Sequence, residues 1–146
     1  MRTPEVNPDQ KQALSMLLGE WMPYIQRFWG ATIVVKFGGA AMVSRRLQEE
    51  FARDVVLMQL VGMRPVIVHG GGPQVTEMMH RLGMDTEVVR GHRVTDAETM
   101  EVAKMVLVGK VNKDLVGLVH RHGGTAVGIS GEDGRLLLAE PLAHHD

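Results

Sequence analysis

Two apolar, β-branched runs that each end in a cluster of glycines constrain this chain more than any other feature. The first is Thr32-Ile33-Val34-Val35-Lys36-Phe37 closed by Gly38-Gly39; the second is Pro65-Val66-Ile67-Val68-His69 closed by Gly70-Gly71-Gly72-Pro73. Short continuous apolar runs bounded by turn residues read as buried strands. A helical pattern separates them: Ser44 is placed as an N-cap and Leu47, Phe51, Val55 and Met58 form an apolar stripe that stops at Gly62. Pro73 suits the first position of a further helix reaching about Leu82. This βαβα order predicts an α/β fold with a mainly parallel sheet and helices on both faces, a three-layer α/β/α arrangement.

The rest of the chain is read in the same way. From Pro8 to Phe28, the residues Leu14, Leu17, Leu18, Trp21, Met22, Ile25 and Phe28 recur at three- and four-residue steps, an amphipathic helix that Pro23 is expected to kink or break near Trp21. A short hairpin is expected around Arg90-Gly91-His92. Thr95-Asp96-Ala97-Glu98 has the form of a capping box with Thr95 as the cap, opening a long helix that bends near Gly109 and stops at Gly123-Gly124. Residues 126–130 and 135–139 flank Gly131-Glu132-Asp133-Gly134 and read as two strands joined by a turn.

Composition narrows the function classes. With 146 residues, the chain has the length of one domain burying roughly two-thirds of its unfolded surface. Sixteen Lys and Arg against 17 Asp and Glu leave no basic field to neutralise a nucleic-acid backbone, so no nucleic-acid partner is expected. The absence of Cys excludes a disulfide scaffold, a thiolate zinc site and a Cys nucleophile. No stretch approaches the roughly 18 apolar residues of a membrane span and the start is polar, so a soluble, cytoplasmic protein is expected.

The chemistry is expected where the two strands meet their glycines. Ligands of open α/β sheets bind at the carboxyl ends of the strands. Consecutive glycines expose backbone amides there, and a helix start adds its positive dipole end, making a cradle for phosphate or carboxylate. Neither common nucleotide fingerprint is met: Val75 stands where a dinucleotide loop needs glycine, and Gly109-Lys110 is followed by Val111. Lys36, near the end of an apolar strand, is either a phosphoryl clamp among these amides or a strand-end surface lysine. Arg93 is either a bidentate carboxylate binder or a surface arginine. His69 is read as orienting the glycine loop; His120, His122, His144 and His145 are read as structural or solvated, and no metal site is expected.

Taken together, VVKFGG at 34–39, HGGGP at 69–73, Gly91-His92-Arg93-Val94-Thr95-Asp96, GKVNKDLV at 109–116 and GISGEDG at 128–134 resemble the acetylglutamate kinases of the amino acid kinase superfamily, in order and spacing, over residues 31–140. The glycine loops recur across the superfamily, glutamate 5-kinase included; the GxRVTD and VNK stretches point to acetylglutamate kinase. The resemblance implies the amino acid kinase (carbamate kinase-like) fold and ATP-dependent phosphorylation of the side-chain carboxylate of N-acetyl-L-glutamate in arginine biosynthesis, with ATP and Mg²⁺ as cofactors. Carried over by position, Lys36 would stabilise the transferring phosphoryl group. The amides of Gly38, Gly39, Gly70, Gly71 and Gly72 would cradle the phosphoryl and the attacking carboxylate, and Arg93 would hold the substrate α-carboxylate.

Met22-Pro23-Tyr24-Ile25-Gln26-Arg27-Phe28 resembles the arginine-inhibited branch, whose extra N-terminal helix interlaces dimers into hexamers. Residues 1–29 are therefore expected to be an oligomerisation helix, and arginine a feedback inhibitor. Residues 30–146 would be the substrate-binding lobe. Family members are roughly twice this length, so the chain is expected to be a truncated, amino-terminal half, inactive alone and lacking the nucleotide-binding lobe. Glu132 departs from the lysine common in relatives, which puts a nucleotide contact from that turn in doubt. The competing reading is a non-catalytic acylamino-acid-binding or assembly module; within the enzyme class it is another amino acid kinase such as glutamate 5-kinase.

Overall fold

The computed structural model of the chain describes residues 7–85, 88–89 and 92–140. Helix α1, Pro8–Phe28, opens on a capping box in which the Asn7 side chain accepts from the Gln10 amide while the Gln10 side chain accepts from the Asn7 amide. It continues through Pro23, so of the kink or break expected near Trp21 the break does not occur. Proline frees the carbonyl of Gly19, four residues back, and both residues are exposed, so the freed carbonyl stands open to solvent and the helix can carry the proline.

Strand β1, Thr32–Phe37, pairs in parallel with β2, Arg64–His69, from Thr32 opposite Arg64 to Phe37 opposite His69. Between them lie a 3₁₀ turn at Gly39–Met42 and helix α2, Arg45–Leu60, capped by Ser44 as expected. Helix α3, Gly72–Arg81, follows β2 directly. Val88–Val89 (β3) and His92–Arg93 (β4) pair antiparallel as the expected hairpin; its turn residues, Arg90 and Gly91, lie outside the described residues.

Helix α4, Ala97–Lys104, is capped by Asp96, whose carboxylate accepts from the Thr99 amide at 2.8 Å. Thr95, the expected cap, instead donates its hydroxyl to the Arg93 carbonyl at 3.0 Å. The chain then continues as a π-helical stretch, Met105–Val111, and as α5, Asn112–Arg121. The irregularity expected at Gly109 is thus a change of helical pitch across seven residues rather than a local bend.

Side chains alternate across the strands. Phe37 and Ile67 face one way and join a core of Met42, Ala52, Val75, Met79, Val102, Val106, Val111, Leu115 and Leu118 from the helices. Phe37 stacks on Phe51 of α2 with ring centroids 4.2 Å apart. Val34, Val66 and Val68 face the other way and are exposed. Of the three layers anticipated, the described residues supply the parallel sheet and the helical layer on one face.

Residues 126–130 and 135–139 pair with no strand among the described residues. The first keeps a strand-like alternation, with Ala126, Gly128 and Ser130 half-buried and Val127 and Ile129 exposed. Side chains of α2 and α5 hold this part of the chain: Gln59 donates to the carbonyl of Thr125, just before the segment, and Lys113 and Asn112 donate to those of Gly128 and Ile129 within it. The turn expected at 131–134 forms but runs one residue further: Arg135, expected to open the second strand, closes the 3₁₀ turn Asp133–Arg135 at a positive φ of 57°. No helix of the described residues is long and apolar enough to cross a membrane.

Candidate functional site

Parallel pairing of β1 and β2 in equal register brings both glycine clusters to one edge of the sheet. The Gly70 amide extends the ladder by one bond, donating to the Phe37 carbonyl at 3.0 Å. That amide is therefore engaged, whereas among the described residues the amides of Gly71 and Gly72 meet no acceptor. The N-cap of α3 is Gly71, which has no side chain to cap it, so among the described residues nothing fills the positive end of its dipole. A Cβ built at Gly38, Gly39 or Gly72 would meet nothing within 4 Å, so open space stands before these backbone positions.

Gly71 is glycine for a different reason. A Cβ there would lie 2.4 Å from Cδ2 of Leu107 and 3.4 Å from Cγ2 of Val111. The π stretch packs directly on the loop.

Arg93 reaches the same place from β4. Its guanidinium donates to the Gly72 carbonyl at 3.3 Å and to the Thr76 hydroxyl, and lies 3.3 Å from the Met79 sulfur. All three acceptors are neutral, and among the described residues Arg93 has no ion-pair partner. A half-buried guanidinium beside an uncapped helix start is thus held in place with its charge uncompensated, which favours an anion. Lys36 sits exposed on the open face of β1, opposite Val68, one residue before the strand ends; among the described residues it too lacks an ion pair.

His69 closes β2. Its Nδ1 lies 2.8 Å from the Gly70 carbonyl oxygen, and its Nε2 lies 3.4 Å from Nδ2 of Asn112. Asn112 enters the sequence reading only as the middle residue of the VNK stretch, with no role of its own, yet it is 8% exposed. A signal existed: Asn112, Leu115 and Val119 fall at i, i+3 and i+7, so a polar residue occupies the buried stripe of α5.

The remaining histidines and the turn find local partners. His122 lies 2.6 Å from a Glu49 carboxylate oxygen, and that hydrogen bond holds the Glu49 carboxyl below its ordinary range against the opposing effect of burial. His120 Nε2 contacts the Ala126 carbonyl at 3.1 Å; His144 and His145 lie outside the described residues. Glu132 pairs with Lys104 at 2.6 Å. The Ser130 amide and hydroxyl both donate to Asp133, which lowers its carboxyl below the usual range.

A model of the amino acid kinase family matches residues 31–145. Acetylglutamate kinase of Hydrogenovibrio crunogenus is 53% identical over 137 residues, covering 94% of this chain and 46% of that protein. Acetylglutamate kinase of Alkalilimnicola ehrlichii is 56% identical over 135 residues, covering 91% and 44%. The chain spans a little under half the length of these curated relatives. Among solved structures, an N-acetylglutamate synthase from Neisseria gonorrhoeae complexed with coenzyme A and N-acetyl-glutamate superposes with a TM-score of 0.61 at 24% identity, over 74% of this chain and 25% of that one. The protein smu.665 of Streptococcus mutans UA159 superposes with a TM-score of 0.55 at 30% identity, over 63% and 37%.

Proposed function

Because the chain belongs to the amino acid kinase family, we propose that it forms the substrate-binding, amino-terminal part of a kinase that phosphorylates the side-chain carboxylate of N-acetyl-L-glutamate. The observation that carries this reading is the convergence of three groups on one sheet edge: the glycine turn after β1, the start of α3 after β2 and the guanidinium of Arg93, the last two without a side-chain cap or an ion-pair partner among the described residues. The names of the relatives at 53–56% identity supply the substrate.

ATP supplies the phosphoryl group and Mg²⁺ offsets its charge. The residues present fit that group: open glycine backbone, and amides that meet no acceptor among the described residues, suit phosphoryl oxygens. Gly38, Gly39, Gly71 and Gly72 would donate to the oxygens of the transferring phosphoryl and the acceptor carboxylate. Gly70 contributes the turn, its amide being committed to Phe37. Lys36 would place its ammonium against the charge that develops on the transferring group, and Arg93 would hold the α-carboxylate, fixing the acceptor carboxylate before the loops. Positioning and charge stabilisation of this kind are what phosphoryl transfer asks of a protein.

Helix α1 favours a role in assembly besides. Leu14, Leu17, Leu18, Trp21 and Met22 are exposed along it, and it buries no residue. An apolar helical face of this size is what an interface between copies uses. Oligomerisation through α1, arginine as a feedback ligand of the assembly and a cytoplasmic setting complete the proposal.

Calorimetric titration of the chain with N-acetyl-L-glutamate, with glutamate and aspartate as controls, tests the site. Selective binding is expected, and Arg93→Ala should weaken it roughly ten- to a hundredfold, the scale of a lost charge-assisted contact. A folded chain without selectivity, or an Arg93→Ala variant that binds unchanged, refutes the assignment. Light scattering of a variant lacking residues 1–29 tests the assembly role, with a smaller particle as the expected result.

A further inference from the structure

We infer that Asn112 is a positioning residue for the Gly70–Gly72 loop, acting through His69. This rests on the reading of that loop as an anion cradle, but its geometry is independent of which anion binds.

A carbonyl oxygen only accepts, so the 2.8 Å contact between His69 Nδ1 and the Gly70 carbonyl requires the ring proton on Nδ1. The neutral ring then carries a bare Nε2 that needs a donor. Nδ2 of Asn112 stands 3.4 Å from it and 3.3 Å from the Ile129 carbonyl, so its two hydrogens have one acceptor each. Turning the amide over would set Oδ1 against both acceptors at once. The orientation of Asn112 and the tautomer of His69 therefore fix each other.

The amide is kept at a cost. Asn112 Oδ1 is buried and has no partner among the described residues, which in a folded interior calls for an explanation beyond packing. Room is even made for it: a Cβ at Gly128 would fall 1.8 Å from that oxygen. Asn112 sits where the π stretch passes into α5, and the same stretch sets Leu107 and Val111 against Gly71. One helical segment thus grips the loop twice, through His69 at its start and through Gly71 at its middle. A loop whose amides must meet an anion within a few tenths of an ångström gains from such support.

Asn112→Asp keeps the shape and removes the donor, and this separates positioning from packing. In ¹⁵N-resolved NMR of the chain, the parent His69 ring should be protonated on Nδ1 and bare on Nε2. Asn112→Asp should move a proton onto Nε2 and shift the amide resonances of Gly71 and Gly72. Gly128→Ala, which expels the Asn112 amide while leaving its chemistry unaltered, should loosen the tautomer preference and move the same two amides. Both variants should weaken N-acetyl-L-glutamate binding roughly tenfold. If the tautomer and the glycine amides are unmoved in a folded Asn112→Asp protein, the inference is overturned. The site reading fails separately: Arg93→Ala without effect on binding, alongside the expected NMR shifts, would leave the positioning intact and discard the substrate.

Discussion

Val34 and Val35 are neighbours with the same side chain and opposite fates. Val35 is half-buried on the face that carries Phe37 and meets the helices; Val34 is 67% exposed on the face that carries Lys36. Parallel strands read as continuous apolar runs because both of their faces are ordinarily covered. The run at 32–37 thus specifies two covers, and the described residues provide one. Sequence hydrophobicity here records what a surface requires, and only the packing shows what meets the requirement.

Truncating the covered face gives the largest expected effect. Phe37 is 2% exposed and stacked on Phe51, so Phe37→Ala should cost about 3–5 kcal/mol in a urea melt. A loss below about 1 kcal/mol would mean that the helical layer is not held to the sheet through this residue. Gly71→Ala comes next. Its Cβ would force the Cδ2 methyl of Leu107, the end of a flexible side chain, to turn aside, with an expected cost of about 1 kcal/mol for overpacking, and the same melt should show it.

The two faces also differ in how legible they were. Helices α2 and α3, the strands β1 and β2 and the hairpin follow from local periodicity and from turn residues, because each is decided within a few residues of itself; the parallel pairing of β1 with β2 follows from the βαβ order that joins them. The capping residue of α4 was missed by one position: Thr95 and Asp96 both suit a cap, and Asp96 wins because Thr95 is drawn back to the Arg93 carbonyl. Residues 126–130 read as a strand because they flank a glycine turn, but a strand needs a partner, and Lys113 and Asn112 hold the carbonyls of Gly128 and Ile129 instead, with Gln59 on the Thr125 carbonyl just before them. The π stretch had only Gly109 to announce it. At the site, glycine loops at a shared edge were legible from the chain alone. The commitment of the Gly70 amide to Phe37 and the Asn112–His69 contact were not, since both join segments distant in sequence.

A smaller, pH-dependent effect separates α2 from the end of α5. The Glu49 carboxyl is lowered by its hydrogen bond to His122, so its contribution to stability is present above the ordinary carboxylate range and is lost as pH falls through its depressed value in the folded state. Glu49→Gln should flatten that part of the acid limb in a series of thermal melts. Asp96 and Asp133, lowered by their bonds to Thr99 and Ser130, act in the same direction and should leave a residual slope. A variant whose acid limb is unchanged would show that the Glu49–His122 contact does not persist in solution.

Val34→Thr is the smallest change and the most direct probe of the comparison. The two side chains have nearly the same shape, threonine suits a strand, and an exposed hydroxyl keeps its water, so stability should shift by no more than about 0.5 kcal/mol. The substitution should act on association instead, because Val34, Val66 and Val68 form one apolar strip. Sedimentation at several concentrations of parent and variant distinguishes the cases. If the parent self-associates through this face, Val34→Thr weakens that association while the melt at low concentration stays put. If the variant instead loses as much stability as a core truncation, Val34 is covered in the folded chain, and the contrast between the two valines does not hold.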